Sequence, residues 1–184
     1  MLASRFEEIK MQRRVKNRTI EKIVITAAIA AVYAVLTAIS GAFGLAFSGV
    51  QFRLSEALTI LPVFSPYAAA GLTLGCFISN LASPFGIFDM IFGTMSTLIA
   101  AYLTRKLSCV TFKNTPILAP LPPVLVGAAV VGAMIAFLLP EGGFSTYAFI
   151  FSALSVGIGQ FVVCYGLGIP LFFLIRKLQI FKEE

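Results

Sequence analysis

Residues 51–62 read Gln51-Phe-Arg-Leu-Ser-Glu-Ala-Leu-Thr-Ile-Leu-Pro62, an apolar run carrying two opposite charges, Arg53 and Glu56. The rest of the chain decides how that run is read. Of 184 residues, 59% are hydrophobic and only 12% are charged, against about a quarter charged in soluble domains. Crossing the roughly 30 Å of hydrocarbon takes about 20 apolar residues per helix, and most of this chain is apolar. The run therefore belongs to an all-α integral membrane protein. An ionised side chain at membrane depth is costly and persists where it faces a cavity, a partner or a ligand. Arg53 and Glu56 mark such a place.

Outward from this run the sequence predicts six transmembrane helices. Residues 1–18 form a basic cytoplasmic or interfacial segment, and residues 19–184 form the membrane domain. The charged start is too long, and the next apolar run too extended, for a cleaved signal peptide. Helices are expected at about 19–40, 52–64, 66–81, 87–107, 121–139 and 147–178. The last is too long for one upright span and is expected to tilt, kink near Gly166-Leu-Gly-Ile-Pro170, or protrude. With both termini cytoplasmic, Arg105, Lys106, Lys113, Arg176, Lys177 and Lys182 fall inside with the basic N-terminal segment. The outer loops near 41–51, 82–87 and 140–146 then hold no Lys or Arg, and Glu141 is their only charge. Arg53 is the lone basic residue on the outer side, so it is no topology signal.

Arg53 and Glu56 are three residues apart and share a helix face. They suit either a structural ion pair or a polar pocket near the outer surface. Gln51 and Ser55 can add amide and hydroxyl groups to a pocket. Asp89 stands near the start of the fourth helix, where the dipole favours a carboxylate, yet Ile87, Phe88, Met90, Ile91 and Phe92 surround it. Asn80, at the outer end of the third helix, shares its level. Two carboxylates and an amide suit a ligand rich in N–H donors or carrying a cation. On the first helix, Ala27/Ala31 and Ala30/Ala34 form small-xxx-small pairs that let another helix approach closely. Gly71/Gly75 is read as internal packing of the same kind.

Several chemistries are absent. The chain has no histidine, so imidazole catalysis and His metal ligation are excluded. No phosphate-cradling G-x-x-x-x-G-K-[ST] motif occurs, nor a nucleophile motif. No metal site and no cofactor are expected, and the chain reads as a non-enzyme. Cys76, Cys109 and Cys164 match no metal or redox spacing and read as small apolar packing residues. The net charge of +6 reflects membrane-edge residues rather than nucleic-acid binding.

Three stretches, residues 51–62, Gly71-Leu-Thr-Leu-Gly-Cys-Phe-Ile-Ser-Asn80 and Asp89-Met-Ile-Phe-Gly-Thr-Met-Ser-Thr-Leu-Ile-Ala-Ala101, closely resemble the QueT family. Members of that family are substrate-binding (S) components of energy-coupling-factor transporters, associated with uptake of queuosine precursors. The resemblance implies a multi-pass prokaryotic cell-membrane protein with an outward-opening ligand site. It implies as partners a transmembrane coupling protein, docked on Ala27, Ala30, Ala31 and Ala34, and two ATPases. Arg53, Glu56, Asn80 and Asp89 match the family's polar positions, with Gln51 and Gln160 joining the candidate substrate-binding set. The ligand implied is a 7-deazaguanine with an aminomethyl arm. One carboxylate would take its ring N–H and 2-amino groups, and a second its ammonium. The chain departs from the pattern at Gly127, where an Asn is expected. It departs again near Met134, where a carboxylate is expected, and at Gln160, which stands in place of an acid. The alternative function is a self-sufficient proton-coupled carrier using Glu56 or Asp89 as relay. The absence of an internal repeat counts against it.

Overall fold

The computed structural model describes residues 2–46, 51–138 and 145–179, with side chains from Thr19 onward. The side chains of residues 1–18, the turn Pro140-Glu-Gly-Gly143 with Glu141, and Lys182 lie outside the described residues. Regular structure among those described is helical, apart from an isolated bridge between Phe112 and Thr115. Helix α1 runs unbroken over Leu2–Ala42, so the basic segment and the first apolar run share one helix. A 3₁₀ helix over Leu54–Val63 follows, then α2 over Tyr67–Asn80. A π-helical turn, Asp89–Gly93, leads into α3 over Thr94–Leu107. The chain closes with α4 over Leu121–Leu138, α5 over Thr146–Gly166 and α6 over Gly168–Leu178.

The run expected to be the second transmembrane helix is wound as a 3₁₀ rather than an α-helix and forms the centre of the molecule. Helices α1, α2, α3, α5 and α6 all pack on it, and residues 55–62 are buried throughout. Such long 3₁₀ runs are uncommon, because the hydrogen bonds are poorer than in an α-helix. At about 2.0 Å per residue, however, ten residues reach about 20 Å, where an α-helix would reach about 15 Å. Three residues per turn also stack Arg53, Glu56, Thr59 and Pro62 in one row.

The described helices long and apolar enough to cross a membrane are Thr19–Ala42, Leu121–Leu138 and the Thr146–Leu178 pair taken together. Helices α2 and α3 have 14 residues each, about 21 Å. The expected kink lies at Leu167, between α5 and α6. Pro170 has no N–H to offer the carbonyl one turn earlier.

Small residues set the helix spacing. A Cβ on Gly75 would lie 2.7 Å from the Tyr33 Cβ and 2.8 Å from the Ala30 carbonyl oxygen. A Cβ on Gly71 would lie 2.8 Å from the Thr26 carbonyl oxygen. Helices α1 and α2 therefore touch backbone to backbone, and Gly132 meets Ala153 in the same way between α4 and α5. The main apolar cluster, with Ile29, Leu58, Leu61, Leu72 and Ile175, lies beneath the 3₁₀ helix, and a second one, with Val131, Ile135 and Val156, joins α4 to α5.

Basic residues gather at one end of the bundle. Lys22 lies over the Tyr67 ring, Arg105 Nη1 donates to the Pro62 carbonyl, and Arg176 Nη1 donates to the Asn114 carbonyl. Arg53 stands at the opposite end of the 3₁₀ helix.

Candidate substrate-binding site

Three side chains of α1 hold the first turn of the 3₁₀ helix. Tyr33, Thr37 and Ser40 follow the i, i+4, i+7 spacing of one helix face, and all three are buried. Tyr33 Oη donates to Glu56 Oε1 at 2.7 Å, Thr37 Oγ1 to Ser55 Oγ at 2.7 Å, and the Leu54 N–H to Ser40 Oγ at 3.0 Å. Burying polar groups without partners is costly, so this polar stripe fixes where the 3₁₀ helix lies.

Arg53, one residue ahead of that helix, donates from Nη2 to Asn80 Oδ1 at 2.8 Å. Asn80 is completely buried, and its Nδ2 donates to the Asp89 carbonyl at 2.8 Å and to Cys76 Sγ at 3.4 Å. Asp89, 2% exposed, accepts at Oδ2 from Ser83 Oγ at 2.7 Å. The π turn makes this possible, together with the missing side chain of Gly93. A Cβ there would lie 2.8 Å from both Asn80 Nδ2 and Asp89 Oδ1. π turns are rare and concentrate at functional sites.

A cavity opens in front of Arg53. Its walls are Gln51, Arg53 and Glu56 from the 3₁₀ region, Gly93, Ser96, Thr97 and Ala100 from the π turn and α3, Pro123 and Val131 from α4, and Gln160 from α5. Four of the expected residues, Gln51, Arg53, Glu56 and Gln160, thus share one buried space. Asn80 and Asp89 stand behind it, where Asn80 holds Arg53 and is itself held by the Asp89 carbonyl. The free space is about 10 Å³, enough for one water. A larger ligand enters only if a wall moves.

The cavity is polar beyond what its protein contacts use. Gln160 is 9% exposed and its Oε1 is buried without a hydrogen-bond partner. Gln51 and Ser96 are each 5% exposed. Sequence reasoning passed over Ser96 and Thr97, although Gly93, Ser96, Thr97 and Ala100 form a small and hydroxylic face at i, i+3, i+4, i+7. It also missed Tyr33 and Ser83, each of which donates a hydrogen bond to one of the two carboxylates.

The departures from the expected pattern separate spatially. Gly127 and Gln160 touch: a Cβ on Gly127 would coincide with the Gln160 amide. Met134 instead lines an apolar groove of about 560 Å³ with Phe88, Phe92 and Phe137, away from the polar cavity. The small-residue stripe on α1 also divides. Ala27 and Ala31 are exposed and Ala34 is half-buried, whereas Ala30 is 3% exposed against Gly75. Cys76 and Cys164 are buried as expected, but Cys109 is exposed, because it lies in the turn just past the end of α3.

An all-helical, membrane-embedded chain enclosing a polar cavity is the build of a protein that carries a polar small molecule across lipid. The chain belongs to the QueT transporter family, whose model matches residues 23–177. It is 38% identical over 84 residues to "Queuosine precursor transporter QueT" of Lactococcus lactis subsp. cremoris (strain MG1363), a match covering 46% of this chain and 48% of the relative. The match therefore spans about half the length of that relative. No solved structure matches the chain significantly.

Proposed function

We propose that this chain is the substrate-capturing S component of an energy-coupling-factor transporter. It takes a queuosine precursor of the 7-deazaguanine type from outside the cell membrane for ATP-driven import by partner subunits. The observation carrying this reading is the buried cavity between Arg53, Glu56, Gln51, Ser96 and Gln160, in a chain that otherwise presents apolar side chains. Arg53 offers guanidinium donors to a ring carbonyl. The Glu56 oxygen left over by Tyr33 accepts from ring N–H and amino groups. Asp89, reached past Gly93, balances the guanidinium and faces an ammonium arm at longer range. The name of the Lactococcus lactis relative supports the substrate class.

The reading includes six membrane segments with both termini cytoplasmic, the short 3₁₀, α2 and α3 elements being three of them. The gathering of Lys22, Arg105 and Arg176 at one end supports that orientation. Residues 1–18 then continue α1 on the cytoplasmic side. The exposed Ala27 and Ala31, with half-buried Ala34, dock the transmembrane coupling protein, which works with two ATPases. The chain performs no chemistry on its cargo.

The test is mass spectrometry of small molecules co-purifying with the detergent-solubilised protein, followed by titration with 7-aminomethyl-7-deazaguanine. Glu56→Gln and Arg53→Ala should each weaken binding at least tenfold, about the loss of one charge-assisted hydrogen bond. Unchanged affinity in both would remove the site. Uptake into proteoliposomes that needs a proton gradient and no partner would replace this reading with a self-sufficient carrier.

A further inference from the structure

Gln160 brings an unsatisfied amide oxygen to the wall of the cavity. Its Oε1 is buried with no partner, and native proteins rarely leave such a group unpaired without a reason. Its amide occupies a gap that only a glycine leaves open. The nearest atoms to a Cβ built on Gly127 are Gln160 Oε1, Nε2 and Cδ, all too close for the two groups to coexist. The amide therefore lies along the bare backbone of α4, in space that any other residue at position 127 would fill. Gly159, its neighbour in the chain, is held against the Gln51 backbone carbonyl in the same way. These contacts pin the α5 turn bearing Gln160 between α4 and the 3₁₀ region.

We propose that Gln160, seated in the gap left by Gly127, is the specificity-determining group of the cavity. It reads a ligand edge that places an N–H donor beside an acceptor, as in a lactam, a primary amide or an amidine. A side-chain amide offers one acceptor and two donors side by side, and pairs in two-point fashion with heterocycle edges of that pattern. A carboxylate edge would give Nε2 an acceptor but set its second oxygen against the buried Oε1, acceptor against acceptor, and is rejected. The inference rests on the small-molecule capture proposed above and adds which group selects the cargo. Gly127 is a positioning residue, acting only through Gln160.

Two measurements on the full chain in detergent test this. The first is thermal unfolding without added ligand. Gln160→Met keeps the length and removes the unpaired amide, so it should unfold at the wild-type temperature or higher. A clear fall would make Gln160 a structural residue and overturn the proposal. The second is binding of 7-aminomethyl-7-deazaguanine, whose pyrrole N–H and neighbouring ring nitrogen form such an edge, an amidine, on the side away from the lactam assigned to Arg53 and Glu56. Gln160→Met should weaken it about tenfold to a hundredfold, the range for an unmatched buried hydrogen-bonding group. Gly127→Ala should weaken it similarly in the wild-type background and add nothing to Gln160→Ala, where no amide remains to displace. Additive losses, or Gln160→Met binding within twofold of wild type, would overturn it. If the wild type ignores this probe, the substrate reading falls, and the unfolding comparison still decides the role of Gln160.

Discussion

Tyr33 donates its phenolic hydrogen to Glu56 Oε1 at 2.7 Å from a position with no solvent exposure. The contact couples α1, whose outer stripe is the proposed docking face, to a carboxylate in the wall of the cavity. Through this bond, a change in the tilt of α1 moves Glu56.

Tyr33→Phe removes the donor and keeps the ring. Glu56 then loses one of its hydrogen bonds while remaining buried, which costs about 1–3 kcal/mol. The expected outcome is a lower unfolding temperature together with several-fold weaker ligand binding. Calorimetric titration and thermal unfolding in the same detergent check both. Glu56→Gln in the Tyr33→Phe background should cost less than the sum of the two changes, because the residues share one interaction.

Asn80 is the hinge of a second relay. Its Oδ1 accepts from Arg53 and its Nδ2 donates to the Asp89 carbonyl. Asn80→Leu has similar volume and removes both functions. It should weaken ligand binding at least as much as Asn80→Asp, which keeps an acceptor for Arg53. Titration of the two variants side by side orders them. Equal, wild-type affinity in both would mean that Arg53 needs no support from behind.

How much of this was legible in the chain differs from residue to residue. Arg53 and Glu56 stood out because charge in an apolar run has few explanations, and both line the cavity. Asn80 and Asp89 were correctly placed at the same end, since each borders the loop between α2 and α3. Their retreat behind the cavity was not legible, because it depends on the π turn and on the bare Cα of Gly93. The 3₁₀ winding of residues 54–63 was hidden too. Nothing local in Leu54-Ser-Glu-Ala-Leu-Thr-Ile-Leu-Pro62 disfavours an α-helix before its proline. The packing of five surrounding helices determines the longer form. Tyr33 was readable in principle, as the first member of a stripe with Thr37 and Ser40, but each of these is unremarkable alone.

The α1–α2 contact gives a stability prediction. Gly75→Ala places a Cβ within 3 Å of the Ala30 carbonyl and the Tyr33 Cβ, and backbone atoms cannot rotate away. Overpacking of this kind costs about 1–3 kcal/mol. Because Tyr33 is one of the displaced groups, ligand affinity should fall along with the unfolding temperature. Gly157→Ala, where the nearest atom would be 3.4 Å away, is the matched control and should change neither.

The alanines of α1 separate docking from folding. Ala27 and Ala31 face outward, so Ala27→Leu and Ala31→Leu put bulk on the proposed interface without disturbing a neighbour inside the chain. They should abolish co-purification with the coupling protein while leaving the unfolding temperature and ligand affinity at wild-type values. Ala30→Leu drives the same bulk into Gly75 and should lower the unfolding temperature in the isolated chain. Co-purification, unfolding and titration on the three variants distinguish these outcomes. If Ala27→Leu and Ala31→Leu assemble normally, the docking face lies elsewhere. If all three lose stability together, α1 is packed more widely than its exposed stripe implies, and the loss of assembly reports folding alone.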